Sequence, residues 1–212
     1  MAPAPIVTYY SIRSSFAYLG ARRIAALARR FHRKLVHRPI RLSLTMGPIG
    51  GQPFDERPPL RTAYSLRDMQ RWAAFLGIPI LDDPIHHDGP MELPSGAVIA
   101  AQHAVERGAA GDLDELAALI LEALWRDDRD IAEQAVIAEL MERAGFQPTH
   151  LIPAALDPAT QLELARNCRE AIVRGVIGSP SYLVDGENYY GQDRLDFVER
   201  QLAAGAARSP DP

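Results

Sequence analysis

One cysteine, Cys168, stands in 212 residues, and that scarcity excludes an intramolecular disulfide, a disulfide framework and a dithiol redox centre. The N-terminus lacks a basic region followed by an apolar run, and no stretch approaches ~18 uninterrupted apolar residues. The expectation is a soluble cytoplasmic protein with no membrane partner. A formal net charge of -4 and a pI of about 5.9 give no reason to expect nucleic acid. Missing as well are a Gly-rich phosphate loop, a Ser-His-Asp order and a basic patch. His86-His87-Asp88 has no further His or Cys at ligand spacing, so it reads as a surface loop and no metal is expected. What the chain does have is 47% hydrophobic and 24% charged residues, enough for one good core with room for an inserted lobe.

The most informative stretch runs from Gly175 to Arg200, GVIGSPSYLVDGENYYGQDRLDFVER. Asp157–Arg174 before it has the look of a helix. After the Gly-Ser-Pro break, Ser181–Val184 is β-rich, and Asp185-Gly186 supplies residues that tolerate the φ > 0 of a tight hairpin. Asn188–Tyr190 pairs back as a second strand, Gly191 breaks it, and Asp193-Arg194-Leu195 opens a closing helix with an acid in its first turn. Pro180 lacks an N–H directly before a strand, which implies an edge position or a cis bond. Either leaves the backbone polar groups of Ser179 free to pair with an extended ligand.

From the other end, Ile6–Tyr10 is short, β-branched and aromatic, and reads as a buried strand. Ser14 or Ser15 caps a helix after it, in which Phe16, Leu19, Ile24, Leu27 and Phe31 recur at helical spacing. In Leu35–Leu44, Val36, Ile40 and Leu42 alternate with His37, Arg41 and Ser43, as in a half-exposed strand. Met46–Leu60 is dense in Gly and Pro and predicts a loop of functional length. Helical signals cover Tyr64–Leu76, Gly96–Arg107, Leu113–Arg126 and Ile131–Ala144, with Leu81–Pro94 irregular between them. Trp125 reads as core or as a wall of a substrate pocket that Tyr9, Tyr10 and Phe16 could also line, packing explaining these three equally well, and Cys168 reads as buried or incidental.

The run Gly-Val-x-Gly-x-Pro, hydrophobic strand, Asp-Gly and Gly-x-Asp-Arg resembles the C-terminal half of DsbA-like thioredoxin proteins. More narrowly, it resembles the 2-hydroxychromene-2-carboxylate isomerases and kappa-class glutathione transferases. The resemblance implies an α/β, thioredoxin-like fold with a large all-helical insertion. On that layout residues 1–61 and 151–205 form the thioredoxin-like domain, 62–150 the insertion and 206–212 a tail. It also implies a catalytic Ser or Cys at the start of the first helix. Isomerases of this family carry Ser-Pro-Tyr-Ser-Tyr-Leu there. Ser14-Ser15-Phe16-Ala17-Tyr18-Leu19 takes that place, with Ser15 for the proline and Ala17 for the second serine. The register rests on Tyr18-Leu19, which selects Ser14 over Ser15 or Ser11.

A helix N-terminus presents unpaired N–H groups and about half a positive charge, and it lowers the pKa of a thiol placed there. With no cysteine at this position, the thiolate comes from outside, and glutathione is the supplier the resemblance implies. Ser179 and Pro180 match the segment that pairs with its cysteinyl backbone, by addition to a short strand. Gln192 and Asp193 match the pair that holds the γ-glutamyl end. Gln52 and Arg61 are the nearest equivalents of an Asn and a Lys that contact the ligand from the Gly/Pro loop. Tyr64, Asp68, Arg71, Gly77 and Pro79 match the pattern after that loop and read as structural, Asp68 and Arg71 being spaced to pair on a helix.

The function so implied is a glutathione-dependent isomerase of a small, electrophilic, aromatic-derived substrate. The type reaction converts 2-hydroxychromene-2-carboxylate to trans-o-hydroxybenzylidenepyruvate. A kappa-type glutathione transferase or peroxidase shares every residue named. A non-catalytic thioredoxin-fold binding module is the third reading, which Ser15 and Ala17 favour. A homodimer is expected from the family.

Overall fold

The computed structural model describes residues 3–50 and 56–208. Strand β1 (Ile6–Tyr10) runs into helix α1 (Ser15–Arg30), which crosses over to β2 (Leu35–Pro39), parallel to β1. Parallel neighbours need such a crossover. Strand β3 (Ser181–Val184) lies antiparallel on the other side of β1, and β4 (Glu187–Tyr190) closes the sheet, giving the order β2-β1-β3-β4. Between β3 and β4, Asp185 and Gly186 both take positive φ, 50° and 90°, as a two-residue hairpin demands.

Along β1 the side chains alternate between two layers. Ile6 packs with Ile24, Tyr182, Val184 and Leu195 beneath α1 and helix α9 (Leu195–Arg208). Tyr9 faces the opposite way, with Cys168 and Ala171 of helix α8 (Pro158–Val173), and its hydroxyl donates to Glu170 at 2.8 Å. The sheet is thus covered on both faces, a thioredoxin fold whose helices flank four mixed strands.

Between α2 (Leu42–Thr45) and α8 stand α3 (Pro59–Leu76), α4 (Glu92–Glu106), α5 (Leu113–Trp125), α6 (Gln134–Arg143) and α7 (Pro148–Leu156). Their core is continuous with that of α1. Tyr10, Ile12, Leu19, Leu116, Ile120 and Ile137 belong to one buried cluster. Helix α5 starts at an Asp112 cap whose carboxylate accepts from Glu115 N at 3.0 Å, which satisfies one orphan donor of the first turn.

The half-exposed strand expected over Leu35–Leu44 is shorter and, apart from a partly exposed Arg38, buried. It ends at Pro39, and Leu42–Thr45 turns into α2. His37 is buried because its backbone N–H donates to Gln102 of α4 at 2.8 Å and its ring meets Asp114 of α5 at 2.9 Å. Alternating polarity there reports pairing with helices rather than with water. Helix α7 carries no sequence expectation, since Pro148 and Pro153 both punctuate it. Pro148 opens the helix where its missing N–H is harmless, and packing on α4 holds the rest. A Cβ at Gly96 would lie 2.0 Å from Ala155 O, so glycine is what allows the two helices to touch. Asp68 and Arg71 form no ion pair among the described residues, and Gln70 takes Arg67 and Asp82 instead.

Candidate active site

The site is built where β1 ends and α1 begins. Ser14 has the extended backbone of an N-cap, φ -89° and ψ 112°, and its hydroxyl oxygen accepts from Ala17 N at 3.2 Å. The same hydroxyl donates to the carbonyl oxygen of Ser179 at 3.1 Å. A second bond crosses in the other direction, Ser11 N donating to the Ser179 hydroxyl oxygen at 2.9 Å. Ser179 is thereby clamped against the α1 turn at both its backbone and its side chain. No acid lies in the first turn of α1, which leaves the positive end of the helix dipole uncompensated.

The Ser179–Pro180 bond is cis, and β3 lies between β1 and β4. Of the two arrangements a proline before a strand allows, this is the cis one. Pro180 O accepts from Gly191 N at 2.9 Å, bringing the Gly191–Arg194 corner alongside. There a 3₁₀ turn, Gln192–Arg194, leads into α9. Gln192 is buried, with its Oε1 accepting from Arg23 at 2.5 Å and its Nε2 without a partner among the described residues. Asp193 is partly exposed and pairs with Arg194 at 2.8 Å. Glycine at position 20 is what lets this corner reach α1, because a Cβ there would lie 2.4 Å from the Tyr182 hydroxyl and 3.0 Å from Gln192 Cβ.

Ser14, Ser179, Pro180, Gln192 and Asp193 therefore converge on one end of the sheet. Arg61 is exposed on the first turn of α3. Its charge, after burial itself, pushes the pKa of the half-buried Arg57 down, while Tyr190 acts the other way. The Tyr190 ring in turn lies against Gly178, where a Cβ would come within 2.3 Å. No hydrogen bond or ion pair among the described residues ties Arg61 itself to Ser14 or Ser179. Gln52 lies outside the described residues.

Behind the site is a cavity of about 20 Å³ lined by Thr8, Tyr10, His37, Asp114, Pro180 and Tyr182, room for one water. The Tyr10 hydroxyl meets His37 Nδ1 at 3.1 Å and His37 Nε2 meets Asp114 at 2.9 Å. Burial pushes the Tyr10 and Tyr182 phenols up, so both remain neutral donors.

Sequence reasoning passed over Ser11 and Arg57. The first is weighed only as an alternative register for the active-site serine, and the second lies within the stretch read as the Gly/Pro loop. Tyr9 and Tyr10, which could have lined a substrate pocket, are committed to Glu170 and His37 instead. The His86-His87-Asp88 loop is not free surface. His87 packs edge-on against Trp125 at 5.3 Å, and its Nε2 lies 3.3 Å from Arg13 O. No metal-binding cluster and no helix able to cross a membrane occur among the described residues.

The DsbA-like thioredoxin domain model matches residues 5–203. The chain belongs to the DsbA-like thioredoxin family. Within it, a 2-hydroxychromene-2-carboxylate isomerase of Sphingobium xenophagum is 26% identical over 92% of this chain and 95% of that protein. The solved structure of a 2-hydroxychromene-2-carboxylate isomerase has the same fold, with a TM-score of 0.78, 22% identity and 95% of each chain covered. The cytosolic disulfide reductase DsbM of Pseudomonas aeruginosa, solved with GSH, matches with a TM-score of 0.67 at 18% identity, over 96% of this chain and 98% of its own. The DsbA-like fold is thus adopted here without a cysteine at the α1 tip, where Ser14 stands.

Proposed function

We propose that the protein is a glutathione-dependent isomerase acting on a conjugated, aromatic-derived substrate of the 2-hydroxychromene-2-carboxylate kind. The observation that carries this reading is the Ser14 hydroxyl at the uncompensated tip of α1, held against the Ser179 carbonyl. Family membership and the names of the full-length relatives support it, as does the DsbM structure solved with GSH.

The donor set suits glutathione. Ser14 can turn its one proton from Ser179 O toward a thiolate, because a hydroxyl rotates freely between acceptors. That exchange releases the Ser179 carbonyl to accept from a peptide N–H laid alongside it, as in strand addition. Asp193 suits an α-ammonium, the turn before α9 an α-carboxylate, and Arg61 the remaining carboxylate, with Gln52 assigned to the same contact. Gln192 acts from behind, fixing the corner through Arg23. The chemistry glutathione supplies is a thiolate that adds reversibly to a conjugated C=C and lets it rotate before elimination. Toward it, Ser14 and the α1 tip stabilise negative charge on sulfur, and Phe16 and the 84–91 loop exclude water. The homodimer and the cytoplasmic location belong to the same proposal.

Calorimetric titration with glutathione, in buffers of different ionisation enthalpy, tests it. Saturable binding with proton release is expected, while S-methylglutathione binds without that release and Ser14→Ala weakens or abolishes it. Absence of binding at millimolar glutathione overturns the reading. Loss of free thiol in step with substrate turnover would instead make the protein a transferase.

A further inference from the structure

The residue before Ser14 carries a charge that no carboxylate among the described residues answers. Arg13 is half-buried, and among the described residues no carboxylate forms an ion pair with it. Its Nη2 donates to two backbone carbonyls, Asp88 O at 2.8 Å and Gly89 O at 2.6 Å. Its Nε is buried without a hydrogen-bond partner. The nearby acid does not serve it, because the Asp88 carboxylate points outward, 91% exposed, and pairs with His87 at 3.0 Å. Other half-buried arginines of the sheet layer are answered, Arg38 by Glu170 and Arg41 by Glu92.

The guanidinium is also held firmly in place. His87 Nε2 meets Arg13 O, and the Ser11 hydroxyl lies 3.9 Å from Met91 Sδ, so the 84–91 loop grips the Ser11–Ser14 turn on both sides of the side chain. A fixed, partly desolvated cation with spare planar donors is the arrangement that binds a carboxylate, and an unpaired one is costly to keep. Arg13 directly precedes Ser14 in the chain, and the groups proposed for the thiol donor are Ser179, the Gln192–Asp193 corner and Arg61, so the anion it suits is part of the electrophile.

We propose that Arg13 is the recognition residue for a carboxylate on the isomerised substrate, so that the site selects anionic over neutral conjugated carbonyl compounds. This rests on the isomerase reading, with Arg13 binding and orienting while Ser14 serves the sulfur. The residue fixes specificity and the distance from the carboxylate to the reacting C=C.

Two measurements separate this inference from the reading beneath it. In protein labelled with ¹⁵N-arginine, the Arg13 Nε–H resonance, assigned by its loss in Arg13→Lys, is followed while trans-cinnamate and cinnamamide are added without glutathione. A saturable shift with the carboxylate and none with the amide is expected; equal shifts, or none, overturn the inference whatever the protein does with glutathione. In the second, isomerisation of 2-hydroxychromene-2-carboxylate and of its methyl ester is compared in wild type and Arg13→Gln. KM for the acid should rise about 10- to 100-fold, as for a lost charged hydrogen bond, with ester turnover nearly unchanged. Acid and ester falling together, or neither moving, overturns it. Failure of the wild type to bind glutathione sinks the isomerase reading alone, and the labelled-arginine titration still decides the role of Arg13.

Discussion

The Ser14 hydroxyl and the Ser179 carbonyl satisfy one another at 3.1 Å. One is the cap of α1 and the other sits immediately before the cis proline, 165 residues away in sequence. Each is a group the proposed ligand would need, and each is occupied by the other until a ligand exchanges for it. Ligand binding therefore swaps hydrogen bonds instead of filling unmet ones, so the site stays stable when empty and gains modestly when filled.

From this geometry, Ser14→Ala should lose a cap as well as the proposed thiolate donor. Removing the acceptor for Ala17 N destabilises by about 1 kcal/mol, within the 0.5–2 kcal/mol range of such caps. Urea denaturation without ligand reads that loss directly. Equal stability of the variant would mean that α1 does not depend on this cap.

The lone thiol should be inert. Cys168 is buried, its Sγ accepts from Arg41 N at 3.2 Å, and burial pushes its pKa up. An aromatic disulfide reagent at neutral pH should label it only in denaturant, and Cys168→Ala should leave glutathione binding unchanged. Rapid labelling of native protein would show a thiolate within the fold after all, and would weaken the case for an external one.

How far these features were legible depended on whether they were local. The β1–α1 start, the Asp-Gly hairpin and the α9 opening are set by turn chemistry within a few residues, and all three stand in the structure. The convergence of Ser14, Ser179, Gln192 and Asp193 came from family resemblance, since nothing in either segment specifies the other. Three things were hidden because they depend on tertiary partners. His37 looked solvent-facing until α4 and α5 covered it. Helix α7 was masked by two prolines that packing overrides. Arg13 carried no signal in the sequence, because the 84–91 loop that makes its setting is remote in the chain.

Acid should loosen the join between α1 and α5. Arg22 donates to both oxygens of Glu115, at 2.7 and 3.0 Å, and also meets Glu122. The hydrogen bonds from Arg22 pull the Glu115 carboxyl below the usual carboxylate range. A carboxyl whose folded pKa lies below its unfolded value of ~4.3 stabilises the fold fully above that value and loses the contribution as pH falls through the folded one. The urea midpoint should therefore fall as pH drops below ~5, and less steeply in Glu115→Gln. Because the Glu115 side chain is partly exposed, the difference should also shrink in high salt. Identical slopes in the two proteins would remove Glu115 from the account.

Gly20 offers the sharpest test of how α1 and the Gln192 corner fit together. In a helix interior Gly→Ala ordinarily gains ~1 kcal/mol, but a Cβ here would lie 2.4 Å from the Tyr182 hydroxyl, 3.0 Å from Gln192 Cβ and 3.7 Å from the Tyr182 ring. Overpacking of that kind costs about 1–3 kcal/mol, so Gly20→Ala should be destabilising overall. The Tyr182 hydroxyl has no hydrogen-bond partner among the described residues, and deleting it in Tyr182→Phe should leave stability nearly unchanged. With the hydroxyl gone, the closest obstacle to the new methyl is gone too. The double variant should then recover most of the loss, with a coupling of about 1 kcal/mol or more between the two sites, well above the ~0.5 kcal/mol scatter of independent mutations. Additive effects would mean that the backbone of α1, not the phenol, limits the approach, and the corner holding Gln192 and Asp193 would then be set by the helix itself.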